Sequence, residues 1–266
     1  MSEVRAKKAL GQHFLKDLNV ARRIAETISE SSLPVDCREW SSLPVMEIGP
    51  GMGVLTRYLV ESGRDVTAVE IDTESVEYLS REMPELRVVE GDFLKLDLDS
   101  IIEGEMALIG NYPYNISSQI FFKVLDYKEK IPVVAGMLQK EVAERICAGP
   151  GSKVYGILSV LLQAWYDCSY LFSVPPGVFA PPPKVTSGVL RLTRNGRREL
   201  GCDERKFKTV VKTAFGQRRK TLRNSLGGMI AKESPLSQWE LLSKRPEQLS
   251  VDDFIRLTAA IQQQSS

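Results

Sequence analysis

PVMEIGPGMGVLTRYLVES, residues 44–62, limits the fold more than any other stretch of this chain. An apolar run of strand-forming type carries Glu47 near its end, glycines alternate at positions 49, 51 and 53, and a helical pattern begins at once. A chain that passes from strand to helix through a tight glycine turn is building a βαβ unit, whose next strand lies parallel to the first. The following segments keep that rhythm. DVTAVEID (65–72), LRVVEGD (86–92), EMALIGN (105–111) and IPVVAGML (131–138) read as strands, and TESVEYLSREM as a helix between the first two of them. DLNVARRIAETIS, with Val20, Ile24 and Ile28 at helical spacing, supplies a helix ahead of the series. The expected fold class is α/β, a parallel sheet with helices on both faces.

The pattern changes at SVPPGVFAPPPKVTSG (173–188), where five prolines exclude a helix or a central strand and an ordered irregular segment is expected. Beyond it DERKFKTVVKTAFGQRRKTLRNSL (203–226) turns helical and basic, and SVDDFIRLTAAIQQQ (250–264) opens on a capping box of Ser250 and Asp253. Two domains follow, residues 1–195 with a basic N-terminal arm and residues 196–266. The net charge of +1 conceals a strong asymmetry: residues 191–223 hold twelve Lys or Arg against three acidic residues, and residues 1–23 six against two. A polyanionic partner explains that distribution better than a solvated surface does.

Cys37, Cys147, Cys168 and Cys202 lie far apart with no C-x-x-C spacing, and His13 is the single histidine, so reduced thiols and no metal are expected. No apolar run reaches membrane-spanning length and the first residues lack an apolar leader; the expected location is the cytoplasm, with no membrane contact. No unpartnered apolar stripe calls for a second copy, and a monomer is expected.

The glycine loop admits two readings. A dinucleotide fingerprint requires G-x-G-x-x-G or A, but the sixth residue is Thr56 counted from Gly51 and Val54 counted from Gly49. The other is E-x-G-x-G-x-G of class I methyltransferases, which Glu47, Gly49, Gly51 and Gly53 match, and which curves under the amino-acid end of S-adenosylmethionine. Glu70, ending the second strand, is placed to accept from both ribose hydroxyls, although NAD enzymes use a carboxylate similarly. Asp92, after the third, can accept from the adenine amino group. Each has a plainer reading, a surface charge and a helix cap, but the three strand ends in order support one cofactor site.

Asn111 then ends the fourth strand, in NYPY. Methyltransferases acting on exocyclic amines carry N-x-P-Y or a close variant at this place. The adenine amino group is a poor nucleophile because its lone pair is delocalised. An Asn side-chain oxygen and the Tyr112 carbonyl can accept its two N–H bonds and localise the pair, so catalysis is positioning plus electrostatics. Tyr114 would stack on the base, and the ring of Tyr112 has no evident use.

Seven blocks in order now carry a resemblance across nearly the whole chain: GQHFL (11–15), EIGPGMGVLT (47–56), VEID (69–72), GDFL (91–94), NYPYNI (111–116), FAPPPKV (179–185) and FGQRRKTLRNSL (215–226). The chain resembles the ribosomal RNA adenine N6,N6-dimethyltransferase family, in particular its bacterial small-subunit members. The resemblance implies a Rossmann-like class I methyltransferase with a mostly parallel seven-stranded sheet and a small helical C-terminal domain that contacts RNA. It implies S-adenosyl-L-methionine as cofactor, lined by His13, Leu15, Gly49, Gly51, Glu70, Asp92 and Asn111, and a catalytic set of Asn111, Tyr114 and Phe179, with Phe179 stacking opposite Tyr114. Lys184, Arg218, Arg219, Lys220 and Arg223 would contact RNA phosphates. The implied substrate is two adjacent adenosines in a loop near the 3′ end of 16S rRNA, within the small ribosomal subunit or its precursor, each methylated twice at N6, with a role in ribosome biogenesis. His13 stands where relatives often carry Asn, and Tyr112 where an aliphatic residue is commoner. A 23S rRNA adenine methyltransferase shares the N-x-P-Y or F motif, and a non-catalytic assembly factor would keep the fold. The intact Glu47, Glu70, Asp92 and Asn111 argue against the latter.

Overall fold

In the computed structural model, which describes residues 4–231 and 233–264, the expected strands form where the sequence places them. They are β2 (Val45–Ile48), β3 (Val66–Glu70), β4 (Arg87–Glu90), β5 (Ala107–Asn111) and β6 (Val133–Gln139), preceded by a two-residue β1 (Phe14–Leu15). Three more follow: β7 (Tyr166–Val174), β8 (Phe179–Ala180) and β9 (Ser187–Arg194). The seven-stranded sheet has the order β4-β3-β2-β5-β6-β9-β7; β1 and β8 pair separately and antiparallel. β2, β3, β4, β5 and β6 are parallel, and β9 joins β6 antiparallel.

Burial follows from that order. Every residue of β2 and β3 is buried, as required of central strands covered on both faces. The edge strand β4 is exposed at both ends. Helix α1 (Leu18–Glu26) is capped by Asp17, whose carboxylate accepts from the backbone N–H groups of Asn19 and Val20, and buries Ala21 and Ile24. Helix α2 (Val54–Glu61) buries Leu55 and Leu59 beside them in one apolar cluster. Helices α3 (Thr73–Glu82) and α4 (Ser117–Asp126) complete the crossovers, and α5 (Lys140–Cys147) follows β6.

The chain forms two compact units, one ending at Ala143 but including Cys168–Arg194, the other made of Glu144–Asp167 and everything from Asn195 on. A single cut at 195 therefore misses one excursion. Residues 144–167 belong with the C-terminal unit because helix α6 (Ile157–Gln163) packs on α7 (Glu204–Gly216) and α9 (Val251–Gln263). Tyr155 meets Phe215 edge-on at 6.1 Å, and Phe215 stacks on Phe254 at 5.8 Å. The Ser250–Asp253 capping box opens α9 as expected. The continuous helical reading of 203–226 does not hold: α7 ends at Gly216 and a short α8 (Leu222–Ser225) follows.

Candidate active site

Parallel pairing in register sets the site. Ile48 lies opposite Val69 and Gly110, and Glu70 opposite Glu90, so the glycine loop, Glu70, the turn bearing Asp92 and Asn111 all leave the sheet at one end. β2 and β5 flank the point where strand order reverses, which in open α/β sheets opens a crevice at the carboxyl ends.

The loop needs its glycines. Gly51 has φ +55°, and a β-carbon there would sit 2.9 Å from two ring carbons of Phe14. Gly49 and Gly53 share the left-handed conformation, and Gly53 begins the helix. Glu70 is buried and fully engaged with backbone: Oε2 accepts from Gly51 N at 3.1 Å, Oε1 from Ile71 N at 2.9 Å and Asp72 N at 3.0 Å. Burial raises its pKa and these three bonds oppose the rise. The carboxylate thus holds the glycine loop against the end of β3, and Glu70 lines the cavity together with Gln12, His13, Gly51, Asn111 and Tyr114.

Glu47 is the other buried carboxyl. Its Oε2 has no hydrogen-bond partner, and burial pushes its pKa up to about 8; the nearby Thr56 hydroxyl softens that rise without meeting bonding geometry, and the charge of Glu70 adds to it. An acid with a raised folded-state pKa favours the folded state while protonated, so this contribution is present below the unfolded value near 4.5 and is lost as pH rises towards 8. Glu47→Gln should therefore flatten the fall in melting temperature between pH 5 and pH 8. An unchanged slope in thermal denaturation would assign the pH dependence elsewhere.

The N-terminal arm closes the cavity from above. Lys7 forms ion pairs with Asp72 and with Glu74 (3.0 Å), and Gln12 donates to Asp72 at 3.3 Å. Burial opposes ionisation of Asp72, but the bonds from Lys7, Gln12 and Ser75 outweigh it and hold the pKa below the usual range. His13 reaches in two directions. Its carbonyl accepts from Asn111 Nδ2 at 3.0 Å, and its ring Nδ1 donates to the Pro181 carbonyl at 2.8 Å. The first bond orients the amide: with Nδ2 committed to a carbonyl, the Asn111 oxygen is left as an acceptor, the polarity that binding an amine requires.

NYPY divides its work unevenly. Tyr112 is fully buried, its hydroxyl donates to the Ala135 carbonyl at 2.7 Å, and its ring meets Phe121 edge-on at 5.8 Å. A β-carbon at Gly136 would come within 2.8 Å of that ring, and one at Gly110 within 3.1 Å. Two glycines on adjacent strands thus form the slot that holds the ring, which accounts for an aromatic here. Tyr114 is half-buried and lines the cavity, with the His13 ring 5.5 Å away at 35°.

Other expected site residues fall differently. Phe179 is 1% exposed and sits in the core cluster with Leu15, its partner in the β1–β8 register. The pairing turns both side chains inward, so neither lines the cavity, and the ring beside Tyr114 is His13 rather than Phe179. Asp92 combines two roles: Oδ1 caps the following turn by accepting from Leu94 N at 3.0 Å, and Oδ2 lies 3.7 Å from Lys95 Nζ. Beneath that turn Lys123, which sequence reasoning missed, donates to the Phe93 carbonyl at 2.6 Å and to that of Leu96. Burial lowers its pKa, against the carboxylates of Asp92, Asp97 and Asp126. A lone Lys on an amphipathic helix carries no signal of this task.

The basic residues also separate. Lys184, Arg219 and Lys220 are exposed and form no ion pair among the described residues. Arg218 instead braces its own unit, donating to the Ser152 carbonyl at 3.3 Å near Glu247 (3.9 Å), and Arg223 donates to the Ser237 carbonyl at 2.5 Å.

Comparison with known proteins supplies independent information. Residues 3–263 match the family model described as ribosomal RNA adenine dimethylase. A protein of Parabacteroides distasonis named ribosomal RNA small subunit methyltransferase A is 62% identical over 97% of this chain and 94% of its own length. A protein of the same name from Porphyromonas gingivalis is 60% identical over 99% of this chain and all of its own length. Among solved structures, a dimethyladenosine transferase from Plasmodium falciparum superimposes with a TM-score of 0.75 at 23% identity, over 92% of this chain and 96% of that one. That likeness establishes the class I fold.

Proposed function

This chain belongs to the ribosomal RNA adenine dimethylase family, and from that premise we propose that it transfers methyl groups from S-adenosylmethionine to N6 of two adjacent adenosines near the 3′ end of 16S rRNA, twice each. The observation that carries this reading is the oriented amide of Asn111, whose oxygen is left as an acceptor beside Tyr114 at the mouth of the cofactor crevice. The names of its relatives favour the small-subunit RNA over a 23S substrate. The enzyme would act in the cytoplasm, on the small subunit or its precursor, during ribosome biogenesis.

The residues present fit the cofactor. Gly49 and Gly51 line the cavity with bare backbone in the left-handed conformation, and Glu70, held by three backbone N–H groups, presents a pre-set acceptor for ribose hydroxyls. Gly49, Gly51 and the backbone of the arm at His13 would receive the amino-acid end, and Asp92 the adenine. When bound, S-adenosylmethionine supplies the electrophilic methyl group. Asn111 Oδ1 and the Tyr112 carbonyl would hold the two N6 hydrogens, directing the nitrogen lone pair at that methyl. Tyr114 would support the base by stacking. An unpaired loop nucleotide can be turned into such a pocket at small unstacking cost. Leu15 and Phe179 would serve from the core, fixing the paired β1 and β8 segments that frame the pocket.

RNA contact would rest on Lys184, Arg219 and Lys220, which are free to reach phosphates, ahead of Arg218 and Arg223, which already bond to carbonyls in their own unit. Replacing Arg219 and Lys220 together by Ala should weaken RNA binding and reduce the salt slope, d log K/d log[salt], by about 1 to 2. Arg218→Ala should instead lower the melting temperature. An unchanged slope in the double variant would remove both residues from the phosphate contacts.

The test of the whole reading is transfer of labelled methyl to small subunits lacking the modification. Label recovered as N6,N6-dimethyladenosine in 16S rRNA supports it; no label in RNA refutes it.

A further inference from the structure

Tyr114 is braced more elaborately than a side chain filling space needs to be. Its hydroxyl lies 2.5 Å from the Oγ of Ser187, the first residue of β9, which is completely buried. The His13 ring lies against it at 5.5 Å, and that ring is in turn tied through Nδ1 to the Pro181 carbonyl at 2.8 Å. Three segments distant in sequence, the N-terminal arm, the proline-rich loop and β9, thus converge on one half-buried phenol at the edge of the cavity.

A tyrosine ring has two rotatable bonds before its hydroxyl, and tethering the hydroxyl at the far end restricts both. Among the described residues Ser187 is the group that does so: it comes from the antiparallel strand added beside β6, opposite Gln139, and not from the NYPY turn itself. The bond joins two groups of the protein itself, so it orders the ring without help from a substrate and leaves less to be ordered on binding.

We propose that Ser187 is a positioning residue for methyl transfer: its hydroxyl pins the phenol of Tyr114, so that the ring stands pre-set as the surface on which the target adenine stacks. This rests on Tyr114 being the base-stacking residue, as read above. Ser187 does not touch the reacting atoms. It acts through the ring, and the loss of its hydroxyl should cost productive placement of the base and leave cofactor binding intact.

The test uses the full-length enzyme with unmodified small subunits, well below the melting temperature of every variant. Ser187→Ala and Tyr114→Phe remove the same hydrogen bond from opposite sides, and the second leaves the ring in place should the first fail to fold. Each should lower kcat about three- to tenfold, the fold-change corresponding to re-ordering one side chain, with KM for the particles and the dissociation constant for S-adenosylmethionine unchanged. The double variant should be no slower than either single one, and Tyr114→Ala should be slower than all three. Wild-type kcat in Ser187→Ala and Tyr114→Phe, or multiplicative losses in the double variant, with Tyr114→Ala still impaired, would overturn the tether and leave Tyr114 as the stacking residue. Wild-type turnover in Tyr114→Ala would overturn both.

Discussion

Asn111→Ala will lower the rate of methyl transfer by about two to three orders of magnitude, the loss typical of removing one pre-set group that stabilises charge in a transition state. The side chain is held for a single purpose. Its Nδ2 is spent on the His13 carbonyl at 3.0 Å, and the oxygen has no competing donor among the described hydrogen bonds. Alanine removes that acceptor and releases the arm at one point, so affinity for S-adenosylmethionine should fall by no more than about tenfold, the loss of one hydrogen bond. Asn111→Asp should not rescue the rate. A carboxylate oxygen would face the His13 carbonyl where the amide now donates, so the arm is repelled although an acceptor is restored. Single-turnover kinetics with cofactor in excess separate these effects from binding. A rate within about threefold of wild type for Asn111→Ala, far below the loss expected for such a group, would refute the role of the amide.

Glu70→Ala should produce the second large effect, and on a different observable. Three backbone N–H groups converge on this buried carboxylate, at 3.1, 2.9 and 3.0 Å. Each buried donor left unpaired costs about 1–3 kcal/mol, so the variant should melt well below wild type. The same change removes the acceptor proposed for two ribose hydroxyls. Because hydrogen bonds to a charged group are worth about 1.5–3 kcal/mol each, the dissociation constant for S-adenosylmethionine should rise about a hundredfold or more. Glu70→Gln should fall between. One amide end can accept as Oε1 does now, but the other presents N–H to the Gly51 N–H. Calorimetric titration and thermal denaturation would show both effects; a cofactor affinity unchanged in a folded Glu70→Ala protein would remove Glu70 from the binding site.

The central half of the fold was legible because it is written in local pattern. Strands buried on both faces read as continuous apolar runs, and the glycine turn at 49–53 announces the first crossover. Gly49, Gly51, Glu70 and Asn111 stand at or just beyond strand ends, so strand order alone brings them to one cavity, with the turn bearing Asp92 leaving the sheet at the same end. What escaped depends on contacts between distant segments. β8 and β9 grow out of a proline-rich stretch whose local preferences favour neither helix nor central strand; pairing with β1 and β6 decides them. The same pairing sends Phe179 into the core, which no pattern within FAPPPKV signals. The use of the Tyr112 ring became visible only when Gly110 and Gly136 were found side by side on neighbouring strands. Residues 144–167 follow a strand and helix of the first unit yet pack with the second, through aromatic contacts that span a hundred residues of chain. Among the arginines, charge was legible but partners were not: Arg218 and Arg219 are adjacent, and only the former is committed to a carbonyl.

The central claim is that this crevice dimethylates adenine at N6 in small-subunit RNA. The direct measurement is nucleoside mass spectrometry of 16S rRNA from unmodified small subunits incubated with S-adenosylmethionine and either the wild-type protein or Asn111→Ala. The account predicts N6,N6-dimethyladenosine at two adjacent positions near the 3′ end with the wild-type protein, and none above background with the variant in the same time. Wild-type protein that binds cofactor and particles yet leaves those adenosines unmethylated would contradict it.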